Sequence, residues 1–281
     1  MQYGHSRKGN NMIKINHLTI TQNKDLRDLV SDLNINIQDG EKVAIIGEEG
    51  NGKSTLLKTL MGEALPDFTI KGDIQSDLQS IAYIPQHLPE ELKKRSLQDY
   101  FFLDPADLDY SILYRFAEEL HFDSDRFASD QEIGSLSGGE ALKIQLIHKL
   151  AKPFEVLFLD EPTSGLDPTT SKKIHKLLQE LKERGTTIFL TTHDMNEATL
   201  LCDNLALLNK GDLIEQGSPS EIIQKYNTEK KVAVTYSDST KKVVRFEDLQ
   251  QEDYKKMMTI HSCEPTLEDI FIKLTGEKLD V

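Results

Sequence analysis

Residues 43 to 54 read Val-Ala-Ile-Ile-Gly-Glu-Glu-Gly-Asn-Gly-Lys-Ser, a short apolar run followed by a glycine-rich loop. The loop, Gly47 to Ser54, fits the pattern G-x-x-x-x-G-K-[S/T], and leucines at helical spacing follow it. Glycines let several backbone N–H groups point at one anion, and a helix N-terminus adds partial positive charge. A tight glycine turn with an incidental lysine would not explain the flanking strand and helix. The sequence therefore predicts a phosphate-binding loop, with Lys53 on the β- and γ-phosphate oxygens and the Ser54 hydroxyl on Mg²⁺.

Two further apolar runs predict a parallel sheet. They are Val156 to Leu159 and Thr187 to Thr191, and the stretch between them, Ser171 to Arg184, has helical spacing and is followed by Gly185. Continuously apolar strands that alternate with helices are typical of a parallel sheet covered on both faces. The fold class predicted is therefore α/β.

Two carboxylates, Asp160 and Glu161, directly follow the run that ends at Leu159. This is the carboxyl end of a predicted strand, where open α/β sheets bind their ligands. Asp160 is placed to hold Mg²⁺ through water, and Glu161 is placed to orient and deprotonate an attacking water. Taken alone, these residues would fit an acidic strand end facing solvent equally well, and the phosphate loop favours the catalytic interpretation.

The rest of the chain divides into regions of different pattern. Alternation of apolar residues over residues 13–20 and 33–37 predicts half-buried N-terminal strands. Residues 88–150 are charged and helical in periodicity, which predicts a helical insertion. Beyond about residue 226, apolar stretches on both sides of Ser237-Asp-Ser239 predict a hairpin, and two short helices should follow it, over residues 247–258 and 266–275.

Composition excludes several classes of function. The chain has 281 residues, 33 basic and 47 acidic, with a net charge of −14, which disfavours a broad contact with nucleic acid or anionic lipid. Apolar residues make up 38% and never form the roughly 20-residue run that crosses a bilayer. The first twelve residues are polar, lack the apolar core of a secretory signal and are expected to be a disordered leader. The two cysteines are expected to be free thiols.

A second anion site is predicted around residues 136–140, which read Leu-Ser-Gly-Gly-Glu and open a helical stretch that runs to Leu150. The serine and the two glycines offer a hydroxyl and exposed amides at a helix N-terminus. One phosphate loop and one additional anion site in a single chain suggest that two chains pair head to tail.

With these motifs in place, the chain resembles the ATP-binding subunit of ATP-binding cassette (ABC) transporters over roughly residues 13–225. The resemblance implies a P-loop NTPase with an ABC-type core sheet, N-terminal antiparallel strands, a helical insertion at about 88–150, and a small C-terminal α/β subdomain over 226–281. It also implies ATP and Mg²⁺ as ligands and two cassettes that enclose two ATP molecules, each between one Walker A loop and the partner's signature.

The resemblance carries over residue by residue to the family's motifs in this chain. It assigns Glu161, His193 and Gln86 to catalysis and to sensing of the γ-phosphate, Asp167 to the D-loop, and Ser54, Gln86 and Asp160 to Mg²⁺. Standing alone, Gln86 would be an ordinary loop residue and His193 a structural histidine. The Walker A residues that would bind ATP are Gly47, Glu48, Glu49, Gly50, Asn51, Gly52, Lys53, Ser54 and Thr55, and the signature that acts on the partner's ATP comprises Leu136, Ser137, Gly138, Gly139 and Glu140.

The sequence departs from the family pattern at the expected adenine contact. Many members stack the base on an aromatic residue ahead of the second strand, whereas residues 21–24 here read Thr-Gln-Asn-Lys, with Gln22 nearest to that place. ATP and GTP are therefore expected to bind with similar affinity. The signature also has Glu140 where many transporters carry glutamine.

Different parts of the chain resemble different branches of the family. Up to about Glu161 the motifs are similar to those of soluble, ribosome-associated ABC-F ATPases. From Gly165 onward, including residues 264–271, they are similar to ATPases that serve ABC-2 type exporters. A natural mosaic and an engineered chimera would both fit this pattern.

The expected function is that of an ATPase, coupled to a permease on another chain and held by it at the cytoplasmic face of the membrane, with export favoured by the C-terminal resemblance. An ATP-gated switch acting on the ribosome is the main alternative, and a regulatory or repair-type ATPase is the other. No nucleic acid partner is expected for the transporter subunit.

Overall fold

The computed structural model describes residues 11–48, 50–76, 78, 80–103, 107–252 and 254–277. The strands are β1 Asn11–Gln22, β2 Arg27–Gln38, β3 Lys42–Ile46, β4 Phe68–Ser76, β5 Ile81–Ile84, β6 Val156–Asp160, β7 Thr187–Thr192, β8 Asn204–Asn209, β9 Asp212–Gly217, β10 Lys231–Tyr236, β11 Lys241–Arg245 and β12 Met257–Cys263. The helices are α1 Lys53–Leu60, α2 Glu90–Lys93, α3 Leu97–Phe102, α4 Tyr110–Glu119, α5 Gly138–Leu150, α6 Pro168–Glu183, α7 Met195–Leu201, α8 Pro219–Tyr226 and α9 Leu267–Thr275.

The main sheet combines a parallel core with an antiparallel N-terminal part, in the order β4-β1-β2-β9-β8-β3-β7-β6-β5. Strand β3 runs parallel to β7 and β8, and β6 runs parallel to β5 and β7. Strand β1 pairs antiparallel with both β2 and β4. The carboxyl ends of β3 and β6 therefore lie at the same edge of the sheet, and the α/β class predicted from the sequence is confirmed.

Burial on both faces explains why the central strands show no alternation in sequence. In β3, Val43 and Ile45 pack with the antiparallel strands and α1, whereas Ala44 and Ile46 pack with the helices on the opposite face. All five residues of β3 are buried. The same two-sided burial applies to β6 and β7, which are buried along their whole length. The glycine loop is thus anchored to a strand that packing fixes from both sides.

The segment predicted as a helical insertion contains α2, α3, α4 and α5. Its helices enclose an aromatic cluster in which Phe101 and Phe127 lie 4.1 Å apart between ring centroids. Both rings, together with Phe116, are buried. These rings belong to the same hydrophobic cluster as Ala44 and Ile46 of β3. The insertion therefore packs α5 against that face of the sheet.

The C-terminal part differs from the sequence prediction at one element. The hairpin is present as β10 and β11, and α9 lies within the predicted 266–275. The helix predicted over 247–258 is wrong, because this stretch forms two 3-10 turns, Phe246–Gln251 and Tyr254–Lys256, and then enters β12. Strand β12 pairs antiparallel with β10. Its side chains are mostly exposed, so it lacks the apolar pattern that marks a buried strand.

The N-terminal boundary also shifts. Strand β1 begins at Asn11, which pairs with Gln38, so residues 11 and 12 belong to the sheet and not to a leader. The rest of the predicted leader, residues 1–10, lies outside the described residues. Within the part of the chain that the structure describes, no helix is both long and apolar enough to cross a bilayer.

Helix α9 docks on the core through Phe271, which is fully buried with Ile270 and Leu267 in the main hydrophobic cluster. We expect Phe271→Ala to lower the free energy of unfolding by about 3 to 5 kcal/mol, because it removes a buried ring and leaves a cavity. Denaturant unfolding followed by circular dichroism measures the change. Leu274→Ala on the same helix, at a side chain that is 37% exposed, is the matched control and should lower it far less. Equal effects of the two substitutions would show that α9 is not docked.

Candidate functional site

The glycine loop connects β3 to α1 and depends on glycine at two positions. A Cβ on Gly47 would lie 2.9 Å from the carbonyl oxygen of Leu208 in β8. Gly52 has a φ of +77°, and a Cβ there would lie 2.7 Å from the Cβ of Leu29 in β2. The loop is therefore held tightly between two strands, and larger residues would push it away from both. Glu49, one of the predicted loop residues, lies outside the described residues.

Lys53 is buried at the start of α1, and its ammonium group is fully engaged. Its Nζ donates to the carbonyl oxygens of Gly47 at 2.6 Å and Glu48 at 2.9 Å. It also forms an ion pair of 3.0 Å with Oε1 of Glu161. Both side chains of the pair are only 4% exposed, so each charge relies on the other for compensation. A phosphate that enters the loop would have to take over the contact that Glu161 now makes.

Glu161 stands at the end of β6 in a left-handed backbone conformation, with a φ of +50°. Its N–H donates to the carbonyl oxygen of Thr191 at 3.0 Å, which fixes it against the neighbouring strand. Its second carboxylate oxygen, Oε2, lies 2.5 Å from Nδ1 of His193. Lys53, Glu161 and His193 thus form one continuous polar chain. A strained residue held by its surroundings is common at functional sites.

Asp160 lies behind this chain and is 3% exposed. Its Oδ1 accepts a 2.5 Å hydrogen bond from the Thr191 hydroxyl. Burial, and secondarily the nearby Asp160 carboxylate, raises the pKa of the Tyr83 phenol, which is therefore protonated at neutral pH and hydrogen-bonded to Asp160. Asp160 is thereby oriented by side chains of β5 and β7.

A cavity of about 220 Å³ opens beside the loop and brings several predicted residues together. Ser54, Thr55, Gln86 and Glu161 line it together with Lys53 and the loop glycines Gly50 and Gly52. A hydroxyl, a carboxamide oxygen and a carboxylate are the oxygen donors that Mg²⁺ accepts alongside water and phosphate, so these residues fit the ion. Asp160 does not line the cavity, although Glu161, the next residue in the chain, does.

The signature residues lie elsewhere and do not line this cavity. Ser137 and Gly138 are exposed at the N-terminus of α5. Ser137 caps that helix, and its hydroxyl donates to Oε2 of Glu140 at 2.9 Å. Arg126 bonds the other oxygen of Glu140 at 2.7 Å and, with the contacts of Ser137, holds the pKa of the Glu140 carboxyl below its usual range. The signature is thus a preformed, outward-facing surface.

Asp167, the predicted D-loop residue, acts structurally as the cap of α6. Its carboxylate accepts hydrogen bonds from the N–H groups of Thr169 and Thr170 at 2.9 and 3.1 Å. Hydrogen bonds from Thr170 and Thr169 lower the pKa of the Asp167 carboxyl. A Cβ on Gly139 would lie 3.6 Å from Thr170, so the signature and the start of α6 lie side by side.

Sequence reasoning missed a buried carboxylate that connects three parts of the site. Glu197, 4% exposed, accepts a hydrogen bond from Thr163 at 2.6 Å and one from Thr192 at 2.9 Å. His175 of α6 contacts the same carboxylate at 2.9 Å. Thr163 follows Glu161 by two residues, and Thr192 precedes His193. A sequence signal existed, since Glu197 lies in the first turn of a helix that follows a buried strand.

Comparisons with known proteins agree on one family. The sequence model described as "ABC transporter" matches residues 30–164. The Nod factor export ATP-binding protein I of Rhizobium sp. (strain N33) is 30% identical over 90% of this chain and 93% of its own length. The methionine import ATP-binding protein MetN 1 of Yersinia pestis bv. Antiqua (strain Antiqua) is 31% identical, over 96% of this chain and 81% of its own.

A solved structure shows the same relation in three dimensions. The structure of cbiO1 from Clostridium perfringens, described as part of the ABC transporter complex cbiONQ, is 30% identical and superposes with a TM-score of 0.61. The match covers 77% of this chain and 94% of cbiO1. The P-loop fold of an ABC ATPase domain, predicted from the motifs, is thereby confirmed.

The Glu197 network gives a test of its own. We expect Glu197→Gln to lower the free energy of unfolding by about 1 to 3 kcal/mol, because an amide cannot accept from two threonine hydroxyls and His175 as a carboxylate does. Turnover should also fall, since Thr163 and Thr192 flank Glu161 and His193. Denaturant unfolding and phosphate release measure the two effects. Glu118→Gln, at an exposed carboxylate of α4, should change neither, and wild-type stability in the Glu197 variant would remove this residue from a structural role.

Proposed function

Because the chain belongs to the ABC transporter family of ATP-binding proteins, we propose that it binds ATP with Mg²⁺ beside the glycine loop and closes head to tail with a second cassette. Closure would drive a permease encoded on another chain. Members of this family are ATP-hydrolysing transporter subunits, and this chain is an ATPase of that kind. The polar chain of Lys53, Glu161 and His193 at the carboxyl edge of the sheet is the observation that carries the proposal.

The backbone of the loop, Lys53 and Ser54 have different tasks in ATP binding. Several backbone N–H groups of the glycine loop would bind the β-phosphate, and the Lys53 ammonium would move from Glu161 to the β- and γ-phosphate oxygens. Ser54 and Gln86 would hold Mg²⁺ directly, and Asp160 would hold it through water. The bound ion would neutralise charge on the phosphates.

Hydrolysis follows from the release of Glu161. Once Lys53 has turned to the phosphates, the Glu161 carboxylate is free to accept a proton from a water that attacks the γ-phosphorus. His193 remains hydrogen-bonded to that carboxylate and faces the same phosphate, so it positions both.

The outward position of the signature supports pairing of two chains. Ser137 and Gly139 do not line the cavity of their own chain, whereas a second cassette in head-to-tail orientation would bring its own copies to the γ-phosphate. The N-terminus of α5 is exposed, so a phosphate bound to a second chain could approach its N–H groups.

Coupling to a permease and the direction of transport are further parts of the proposal. The exporter-like sequence of residues 264–271, whose helix α9 packs on the core, favours export. One relative that matches nearly the whole chain is named for export and another for import. The chain would act at the cytoplasmic face of the membrane, held by the permease. Transporter subunits match this chain over its C-terminal part as well as its core. This favours the role of a transporter subunit over that of a ribosomal switch.

A first test removes the phosphate contact. We expect Lys53→Ala to weaken ATP binding about tenfold or more, because the lost charge-assisted contact contributes about 1.5 to 3 kcal/mol. Calorimetric titration measures the affinity, and circular dichroism checks that the variant is folded. Lys58→Ala, later on the same helix, should bind ATP as the parent does. Unchanged affinity in the Lys53 variant would remove the loop from ATP binding.

A second test separates hydrolysis from pairing. Glu161→Gln keeps the shape of the side chain but cannot accept the proton, so hydrolysis should slow by about 10² to 10⁴. ATP binding should persist or tighten, since a neutral amide competes less strongly for Lys53. Light scattering with ATP and Mg²⁺ should then detect a dimer that ADP does not support.

Ser137→Arg on the same background is the matched control. Its bulk and positive charge would meet Lys53 and Mg²⁺ of the partner, so the dimer should disappear while ATP binding to the monomer stays nearly unchanged. A Glu161→Gln protein that remains monomeric at high concentration would contradict homodimeric pairing and point to a different partner cassette.

A further inference from the structure

We propose that Phe68 and Arg27, with Gln22 between them, form the platform on which the nucleotide base stacks. The inference rests on the proposed function, since it concerns the base of the nucleotide whose phosphates the loop would bind. It assigns this task to residues of β4 and β2, whereas the family resemblance placed it on the segment 21–24, which has no aromatic residue.

Strand register places the three side chains in one row. Gln22, the last residue of β1, pairs with Arg27 in β2 on one side and with Phe68 in β4 on the other. Directly paired residues of antiparallel strands project from the same face of the sheet. Neighbouring strands lie about 4.8 Å apart, so the outer two backbones of the row are separated by about 10 Å. That span accommodates a flat heterocycle lying over Gln22.

The row opens onto the phosphate cavity. Phe68, Gln22 and Arg27 all line the cavity that also contains Lys53, Ser54 and Glu161. Leu29, two residues beyond Arg27 in β2, packs against Gly52 of the loop. A ligand whose phosphates sit in the loop would therefore extend its other end towards this row, and in a nucleotide that end is the base.

The side chains of the row are available for a ligand. Phe68 and Gln22 are half-buried, and Arg27 is exposed. Among the described residues, neither the Gln22 carboxamide nor the Arg27 guanidinium makes a hydrogen bond or ion pair. An aromatic ring and an unpaired guanidinium are the two groups that stack on bases, the first through its π-face and the second through cation–π attraction.

The chemistry also predicts the selectivity. Every base has a π-face, so stacking discriminates weakly between bases, and larger purines gain more contact than pyrimidines. ATP and GTP should bind with similar affinity, and CTP and UTP should bind more weakly than either. Tripolyphosphate, which lacks a base and a sugar, should report the phosphate contacts alone.

Calorimetric titration of the full chain with these five probes tests the assignment. Phe68→Ala should weaken ATP binding by about five- to a hundredfold, in line with the loss of one base stack, and leave tripolyphosphate binding within twofold. Phe68→Tyr keeps the ring and should restore ATP affinity. Arg27→Ala should also weaken ATP selectively. The matched control is Ile70→Ala, an exposed apolar residue two positions along β4 that pairs with Ile20 and does not line the cavity.

Three outcomes would overturn the inference. They are equal affinity of the parent for ATP and tripolyphosphate, unchanged ATP binding in both the Phe68→Ala and Arg27→Ala variants, and a loss of ATP and tripolyphosphate binding together in Phe68→Ala. A parent protein that binds neither ATP nor tripolyphosphate would instead contradict the proposed function, and the base platform with it. Selective loss of ATP binding in the Phe68 variant, with restoration by tyrosine, is the result that supports the proposal.

Discussion

The ion pair between Lys53 and Glu161 is the contact on which the rest of the site depends. Both charges are removed from water, and such a pair is stable only when its remaining hydrogen-bonding groups are also satisfied. The carbonyl oxygens of Gly47 and Glu48 satisfy the ammonium, and His193 satisfies the carboxylate. This requirement explains why the end of β3, the end of β6 and the end of β7 must lie at one edge of the sheet. Parallel strands buried on both faces provide that alignment.

A second network of hydrogen bonds, around Asp160 and Glu197, stabilises the same strand ends. Thr191 binds Asp160, and Glu197 binds Thr163, Thr192 and His175. These contacts tie α6 and α7 to the strand ends that carry Glu161 and His193. The polar chain and α6 are thereby linked through one network of hydrogen bonds around the buried Glu197 carboxylate.

The sequence predicted the elements whose signals are local. The glycine loop, the buried strand before Asp160 and the helix cap at Ser137 each follow from residues adjacent in the chain, and the structure contains all of them. Strand β12 was missed because its side chains are largely exposed and lack an apolar pattern. Phe68 was missed for another reason: it lies 46 positions beyond Gln22 in the chain and meets it only through strand pairing. Glu197 likewise requires knowledge of which buried hydroxyls face it.

The contact between Ser137 and Glu140 has an electrostatic consequence for assembly. A phosphate arriving from a second chain would meet a serine whose hydroxyl already bonds a carboxylate, with Arg126 as its positive neighbour. Two copies that each carry a net charge of −14 also repel one another at long range. Encounter between them should therefore become faster as salt screens the repulsion, over a Debye length of about 10 Å at 0.1 M. Short-range contacts to bound nucleotide would hold the pair, and the same repulsion would hasten its separation once the γ-phosphate has left.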